Sequence, residues 1–216
     1  PAEDMGPARA VGFAWLACAS MAANVQTYAE MQAALQTSAA SDVYVGARAI
    51  LLPAALEIPS GHQDTIRANR SFGTPVLRAN RTDRLFRVYG SLTLEDLTLE
   101  GGRTLSMSHC TSPYFDCGGG AVHVYNNGAK LVLKSVVLRD NQAYNGGAVL
   151  LTSGSAILTV IDSLFVNNSA SYGGAIQLLN TDATLSCTST DFVTNTAEQG
   201  GAVRLLVAIL LSLIHI

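Results

Sequence analysis

From residue 119 onward, apolar and polar positions follow two superimposed periods. The short one is two residues. Val122 and Val124, Val149 and Leu151, Ile176 and Leu178, and Val203 and Leu205 flank His123, Leu150, Gln177 and Arg204, a mixed set with no common chemistry. Such alternation predicts strands whose flanking residues point inward, which leaves His123 on an exposed strand face. A second strand carries Leu131, Leu158 and Leu185, then Leu133, Val160 and Cys187; a third carries Leu138, Phe165 and Phe192.

The long period is 27 residues. "GGA" recurs at Gly119-Gly120-Ala121, Gly146-Gly147-Ala148, Gly173-Gly174-Ala175 and Gly200-Gly201-Ala202. Upstream of the last three, "LRDNQAYNGGAV", "FVNNSASYGGAI" and "FVTNTAEQGGAV" align without gaps. They place Asn141, Asn168 and Asn195 in one register and Ala143, Ala170 and Ala197 in another. A fixed period with no helical spacing inside it predicts an all-β fold: a parallel β-helix solenoid with three short strands per coil, right-handed as parallel crossovers generally are. Strands then stack on their equivalents about 4.8 Å away. The Asn row becomes an inward amide ladder, each link contributing about 0.5–1.5 kcal/mol. The glycine pairs are corner residues, free to take positive φ and, lacking Cβ, to let coils approach closely.

Upstream, "TYAEMQAALQ" has capping-box spacing at Thr27 and Glu30 and places Tyr28, Met31 and Leu35 on one helical face. A short N-terminal helix here would cover the open end of the first coil, where strand edges would otherwise be unpaired. Between Asp42 and Gly102 the apolar runs "VYV", "AILL", "ALEI", "TIRA", "PVLRA", "LFRVY" and "LTLEDLTLEGG" read as less regular coils. Phe86 and Val88 match Val122 and Val124, and Leu97 and Leu99 match Val136 and Leu138, so the coil from 86 to 122 holds an insertion of roughly nine residues relative to the 27-residue period.

The ends are read separately from the solenoid. Residues 1–23 contain "MGPARAVGFAWLACASMAA", with Arg9, an apolar run and small residues near Ala19 and Ala23, the pattern of a secretory signal. The β-helix is expected over 24–210, with its regular coils from 119. The last six residues, "LSLIHI", match the in-frame translation of a transposase adapter used in sequencing libraries, so 211–216 read as adapter read-through. The apolar run from Leu205 to Ile216 is shorter than the ~20 residues a spanning helix needs.

Composition narrows the function. The chain has 216 residues, 49% apolar and 13% charged, and a net charge of −3 without a basic cluster, which disfavours nucleic acid as a partner. Cys110 and Cys117 in "CTSPYFDC" are placed to close a small disulfide loop in an oxidising compartment, while Cys187 falls on an inward register as a buried thiol. Asn69, Asn80 and Asn167 head glycosylation sequons. Asp140, Asp162, Asp182, Asp191 and Glu198 occupy five different registers of the repeat, so they form no acidic row of the kind a lyase or hydrolase uses for calcium or for acid and base work. Asp162 reads as a turn residue satisfying backbone donors. Asp116 and His109 lie together in the inserted loop, where a small site is conceivable.

F-x-x-N followed by G-G-A-[ILV] resembles the repeats of the chlamydial polymorphic outer membrane proteins. The resemblance covers residues 119 to about 206; Phe165 and Phe192 keep the phenylalanine and Leu138 replaces it in the earliest copy. The upstream part resembles, more loosely, the first coils of pectin-lyase-like β-helices. The resemblance implies a secreted or surface-exposed β-helical passenger, extracellular or at the cell surface, at the outer membrane if bacterial and adhesin-like; the lack of an acidic row leads to a reading without catalytic, cofactor-binding or metal-binding residues. Glycan or a cell-surface protein would be bound on its stacked outer face, and membrane attachment would come through a further C-terminal module. The alternative is a pectin-lyase-like polysaccharide lyase or hydrolase.

Overall fold

The computed structural model describes residues 22–37, 39–104 and 117–205, together with the strand Ile209–Ile214. The chain winds as a parallel β-solenoid of about six coils. Four parallel sheets run along it, numbered here in the order a regular coil visits them. Sheet I has eight strands: Ala23–Val25, Asp42–Val45, Gln63–Ala68, Ser91–Glu95, Lys130–Lys134, Ile157–Ile161, Thr184–Thr188 and Ile209–Ile214. Sheet II stacks Ala49–Leu52, Val76–Ala79, Thr98–Glu100, Val137–Arg139, Leu164–Val166 and Asp191–Val193. Sheet III holds Arg103–Thr104, Gln142–Ala143, Ser169–Tyr172 and Thr196–Gln199. Sheet IV holds Leu56–Ile58, Phe86–Val88, Val122–Val124, Val149–Leu151, Ile176–Leu178 and Val203–Leu205. Each regular coil thus has four strands rather than three. Sheet III escapes the hydrophobic pattern because "SASY" and "TAEQ" do not alternate; their pairing comes from neighbouring coils.

The register follows the repeat. Val122 pairs with Val149, Val149 with Ile176 and Ile176 with Val203, and upstream Val122 pairs with Phe86. Inward residues meet on the axis as stacked rows, including Leu131, Leu158 and Leu185 in sheet I and Phe165 over Phe192 in sheet II, rings 5.0 Å apart. Cys187 is a free, buried thiol whose pKa burial pushes up to about 11.

Corners repeat as strictly as strands. Between sheets I and II the chain turns at Asp96, Ser135, Asp162 and Ser189, with φ of 56, 52, 48 and 47°. Between sheets II and III it turns at Gly101, Asp140, Asn167 and Thr194, with φ of 72, 55, 54 and 52°. Apart from the glycine, these are short polar residues, which tolerate the left-handed region best. Asp162 is exposed at its corner and does not cap the backbone; that role belongs to the next residue, Ser163, whose Oγ accepts from Val136 N at 3.1 Å and donates to Ile161 O at 2.8 Å.

The N-terminal end is closed by the helix Tyr28–Gln36. Thr27 Oγ1 accepts from Glu30 N at 3.3 Å and the Glu30 carboxylate accepts from Thr27 N at 3.2 Å, a complete capping box. Met31 and Leu35 are buried on the first coil, and Tyr28 packs against the core partly exposed. Ser41 ties the helix end down, its Oγ donating to Ala34 O at 2.9 Å while its N–H donates to the buried carboxylate of Asp64 at 2.9 Å. Desolvation raises the Asp64 pKa above the ordinary carboxylate value. Among the described residues no helix is long and apolar enough to cross a membrane.

Candidate functional site

The glycine corner sets what each coil can present outward. The first glycine of each pair, Gly119, Gly146, Gly173 and Gly200, has φ of 63, 55, 62 and 82°. A Cβ there would also strike the coil's own next strand: Val122 O at 2.2 Å from Gly119, Val149 O at 2.1 Å from Gly146 and Ile176 O at 2.3 Å from Gly173. The second glycine answers to the neighbouring coil. A Cβ on Gly120 would lie 2.3 Å from Gly147 O, and one on Gly147 would lie 2.0 Å from Gly174 O. On Gly174 it would meet Thr196 O at 2.6 Å and Gly201 O at 2.8 Å.

Beside this corner the asparagine row is fully bonded. Asn168 Oδ1 accepts from Asn141 N at 3.1 Å and Asn141 Nδ2 at 3.0 Å, and Asn195 Oδ1 accepts likewise from Asn168 N and Nδ2 at 3.0 and 2.9 Å. Each amide also donates backward across the coil, from Asn141 to Leu99 O, Asn168 to Leu138 O and Asn195 to Phe165 O. At the N-terminal end the ladder closes on Gly102, whose N–H donates to Asn141 Oδ1 at 3.0 Å. That last link spans 39 residues where the others span 27, so the inserted loop sits in this coil, between Thr104 and Cys117. Cys117 is buried and disulfide-bonded. Cys110, His109 and Asp116 lie outside the described residues, as do residues 1–21, which carry most of the expected secretory signal.

Because the corner folds back tightly, it roofs the outward residues of sheet IV. Added Cβ atoms on Gly173 and Gly200 would touch the side chains of Gln177 and Arg204, and Gly118 would meet Leu150. The Arg204 guanidinium lies 4.3 Å from the centre of the Tyr172 ring. His123 is therefore not exposed but 0% accessible. Its Nδ1 stands 2.5 Å from Arg84 Nη1, its Nε2 3.1 Å from Thr152 Oγ1, and its ring stacks 3.7 Å from that of Tyr125. Arg84 also donates to the Tyr125 hydroxyl at 2.5 Å. Burial first, then the positive charges of Arg84 and Arg87, hold the His123 pKa well below the ordinary histidine value. The imidazole is neutral, an acceptor for Arg84 at Nδ1 and a donor to Thr152 at Nε2. Alternation cannot reveal this arrangement, since the roof comes from a different part of the coil.

The outer faces of sheets I and II are open and carry ionic rows. Arg67 pairs with Asp42 at 3.0 Å and Glu95 at 3.4 Å, and Lys134 with Glu95 at 3.1 Å. On sheet II, Glu100 is held between Arg78 and Arg139 on adjacent coils. Along the corner between sheets II and III runs a polar groove lined by Arg81, Arg103, Asp140, Gln142, Asn167 and Ser169, with the Gly101-Gly102 backbone in its floor. Of the sequon residues, Asn167 is exposed in this groove and donates to Asp140 Oδ1 at 2.6 Å. Asn80 is exposed, with its amide on Pro53 O, and Asn69 caps the short helical turn Arg70–Phe72.

No curated protein and no solved structure matches the chain. Residues 162–178, which run from the Asp162 corner through Phe165, Asn168 and the Gly173-Gly174 pair to Leu178, match the family model described as the Chlamydia polymorphic membrane protein (Chlamydia_PMP) repeat.

Proposed function

We propose that this chain is a non-catalytic, surface-exposed β-helix that binds glycan or protein on its outer face, in the manner of an adhesin. The observation that carries the reading is the repeat itself: the segment matching a repeat of membrane proteins spans the strands of sheets II, III and IV within one 27-residue coil of a solenoid whose outward positions line up coil after coil. Such a surface suits many weak contacts summed along the axis. The carboxylates support binding over cleavage. Asp42, Glu95 and Glu100 are committed to cations along the outer faces, and Asp83 to Arg87 at 2.9 Å, instead of converging on one cleft. The same reading places the protein outside the cell or on its surface, at the outer membrane in a bacterium.

The test is binding of the purified chain to cells and to an array of immobilised glycans, with the glycans analysed afterwards. Retention on a glycan or cell surface with the sugars unchanged is the expected result. Cleavage of a polysaccharide that is lost on replacing one particular carboxylate overturns it in favour of a lyase or hydrolase.

A further inference from the structure

We infer that the groove between sheets II and III is a subsite for the oxyanions of an acidic polysaccharide, with Arg81 and Arg103 as its cations. The inference rests on the surface-binding reading above and adds the ligand's chemistry. Arg81 and Arg103 are exposed on successive coils and line the same groove. The carboxylates nearest them in sequence are already taken: Asp83 by Arg87 and Arg84, Asp96 by Arg70, and Glu100 by Arg78 and Arg139. Asp140, at the other side of the groove, accepts from Asn167 at 2.6 Å. Two arginines and one carboxylate therefore line the groove, and neither arginine has an ion pair among the described residues.

The backbone also presents Arg81 deliberately. Among the described residues, positive φ outside glycine falls on Asp, Ser, Asn or Thr in every case except Arg81, at 66°. A long side chain gains nothing locally from that conformation. Here it is imposed by Asn80 and Thr82: Asn80 Nδ2 donates to Pro53 O at 2.8 Å, and Asn80 Oδ1 accepts from Thr82 N at 3.0 Å and Thr82 Oγ1 at 2.5 Å. The clamp holds Arg81 at the apex of a turn beside Gly101, where the absent side chain leaves the floor low. Guanidinium forks match carboxylate and sulfate alike, and Gln142, Asn167 and Ser169 offer hydrogen bonds to sugar hydroxyls.

The experiment measures binding of the full chain to polygalacturonate, dextran sulfate and uncharged dextran, with cell binding in parallel. The variants are Arg81→Gln/Arg103→Gln and a charge-matched control, Arg48→Gln/Lys130→Gln, altered outside the groove. Binding of either anionic polymer but not dextran, weakened about tenfold in the groove variant and unchanged in the control, is expected. Polygalacturonate alone would identify the carboxylate as the ligand, and dextran sulfate alone the sulfate. Equal loss in both variants, or none in either, overturns the subsite. Cell or neutral-glycan binding without anionic binding overturns the subsite and leaves the surface-binding reading intact; no binding to any surface removes both.

Discussion

Replacing Gly147 with alanine isolates the close approach of adjacent coils. Gly147 does not have positive φ, so alanine can adopt its backbone conformation and the cost arises from contact alone. The new Cβ would lie 2.0 Å from Gly174 O and 2.8 Å from Ser169 N and O, where ordinary contact begins at 3.4 Å. All three are backbone atoms, so relief requires the coils to separate by more than an ångström. The hydrogen bonds from Gly147 N, Ala148 N and Val149 N to the next coil, now 3.0, 2.9 and 2.9 Å, would pass beyond bonding distance. At about 1–3 kcal/mol for each of the three buried donors left unsatisfied, the expected loss is about 3–9 kcal/mol, a large part of a domain's ordinary stability. Gly128→Ala is the comparison: φ is 72° but nothing lies within 4 Å, so left-handed strain alone costs about 1–2 kcal/mol. Urea unfolding of both variants, with hydrogen exchange at the Ala148 and Val149 amides to detect local opening, measures the difference. Gly147→Ala no more destabilising than Gly128→Ala would refute the argument.

Asn168→Ala removes both the acceptor of Asn141 N and the donor to Leu138 O from a fully buried site, and should cost about 3 kcal/mol or more in urea unfolding. Asn195→Ala, at a partly exposed rung that water can reach, should cost less than half as much, and equal losses would count against the ladder. His123 has a depressed folded-state pKa, so its contribution to stability is complete above about pH 6.5 and is lost as pH falls toward the folded value, by at most about 1.4 kcal/mol per pH unit. Asp64, raised by burial, has the opposite sign: its contribution is present below the ordinary carboxylate pKa and is lost as pH rises through the folded value. The difference in stability between wild type and His123→Gln across pH 5–7 therefore isolates the histidine, and a flat difference would refute its buried neutral state. Cys187, with a pKa of about 11, should resist iodoacetamide at pH 8 in the folded chain and react on unfolding; native-state alkylation at the rate of a free thiol would show the register to be wrong.

The solenoid was legible because its information is periodic. Val122, Val149, Ile176 and Val203 repeat an inward position, and the same 27-residue step recovers the Asn ladder and both glycines of the corner. The upstream match of Phe86 to Val122 could also be read, since a strand keeps its two-residue alternation when the loops around it change length. Two features were not legible, for one physical reason. His123 has the sequence signature of an outward strand residue, but the corner that buries it belongs to the part of the coil before the strand, and only the tightness of the glycine bend brings the two together. Sheet III is similarly invisible, because Ser169–Tyr172 and Thr196–Gln199 are held by neighbouring coils and not by an apolar stripe of their own.

The same contrast bears on where function can sit. Much of the surface of the repeats is already used: His123, Leu150 and Gln177 in the outward row of sheet IV are buried, and Lys134 and Arg139 on sheets I and II pair with Glu95 and Glu100 of the coil before. Regularity tends to exhaust the surface, since any group that repeats every 27 residues meets its own copy or a matched partner one coil away. Arg81 and Arg103 escape this because they stand outside the regular coils, one in the coil before the break in period and one at the start of the coil that holds it, where the link from Gly102 to Asn141 spans 39 residues and the next rungs offer Gln142 and Ser169 in place of cations. The groove is therefore a product of the irregular coil, built onto a scaffold whose repeats fix its position. A binding site located there would survive substitution of outward residues in the C-terminal coils, such as Val166 and Val193, and fail on substitution at the break. A site spread evenly along the repeats would lose affinity gradually with each coil altered.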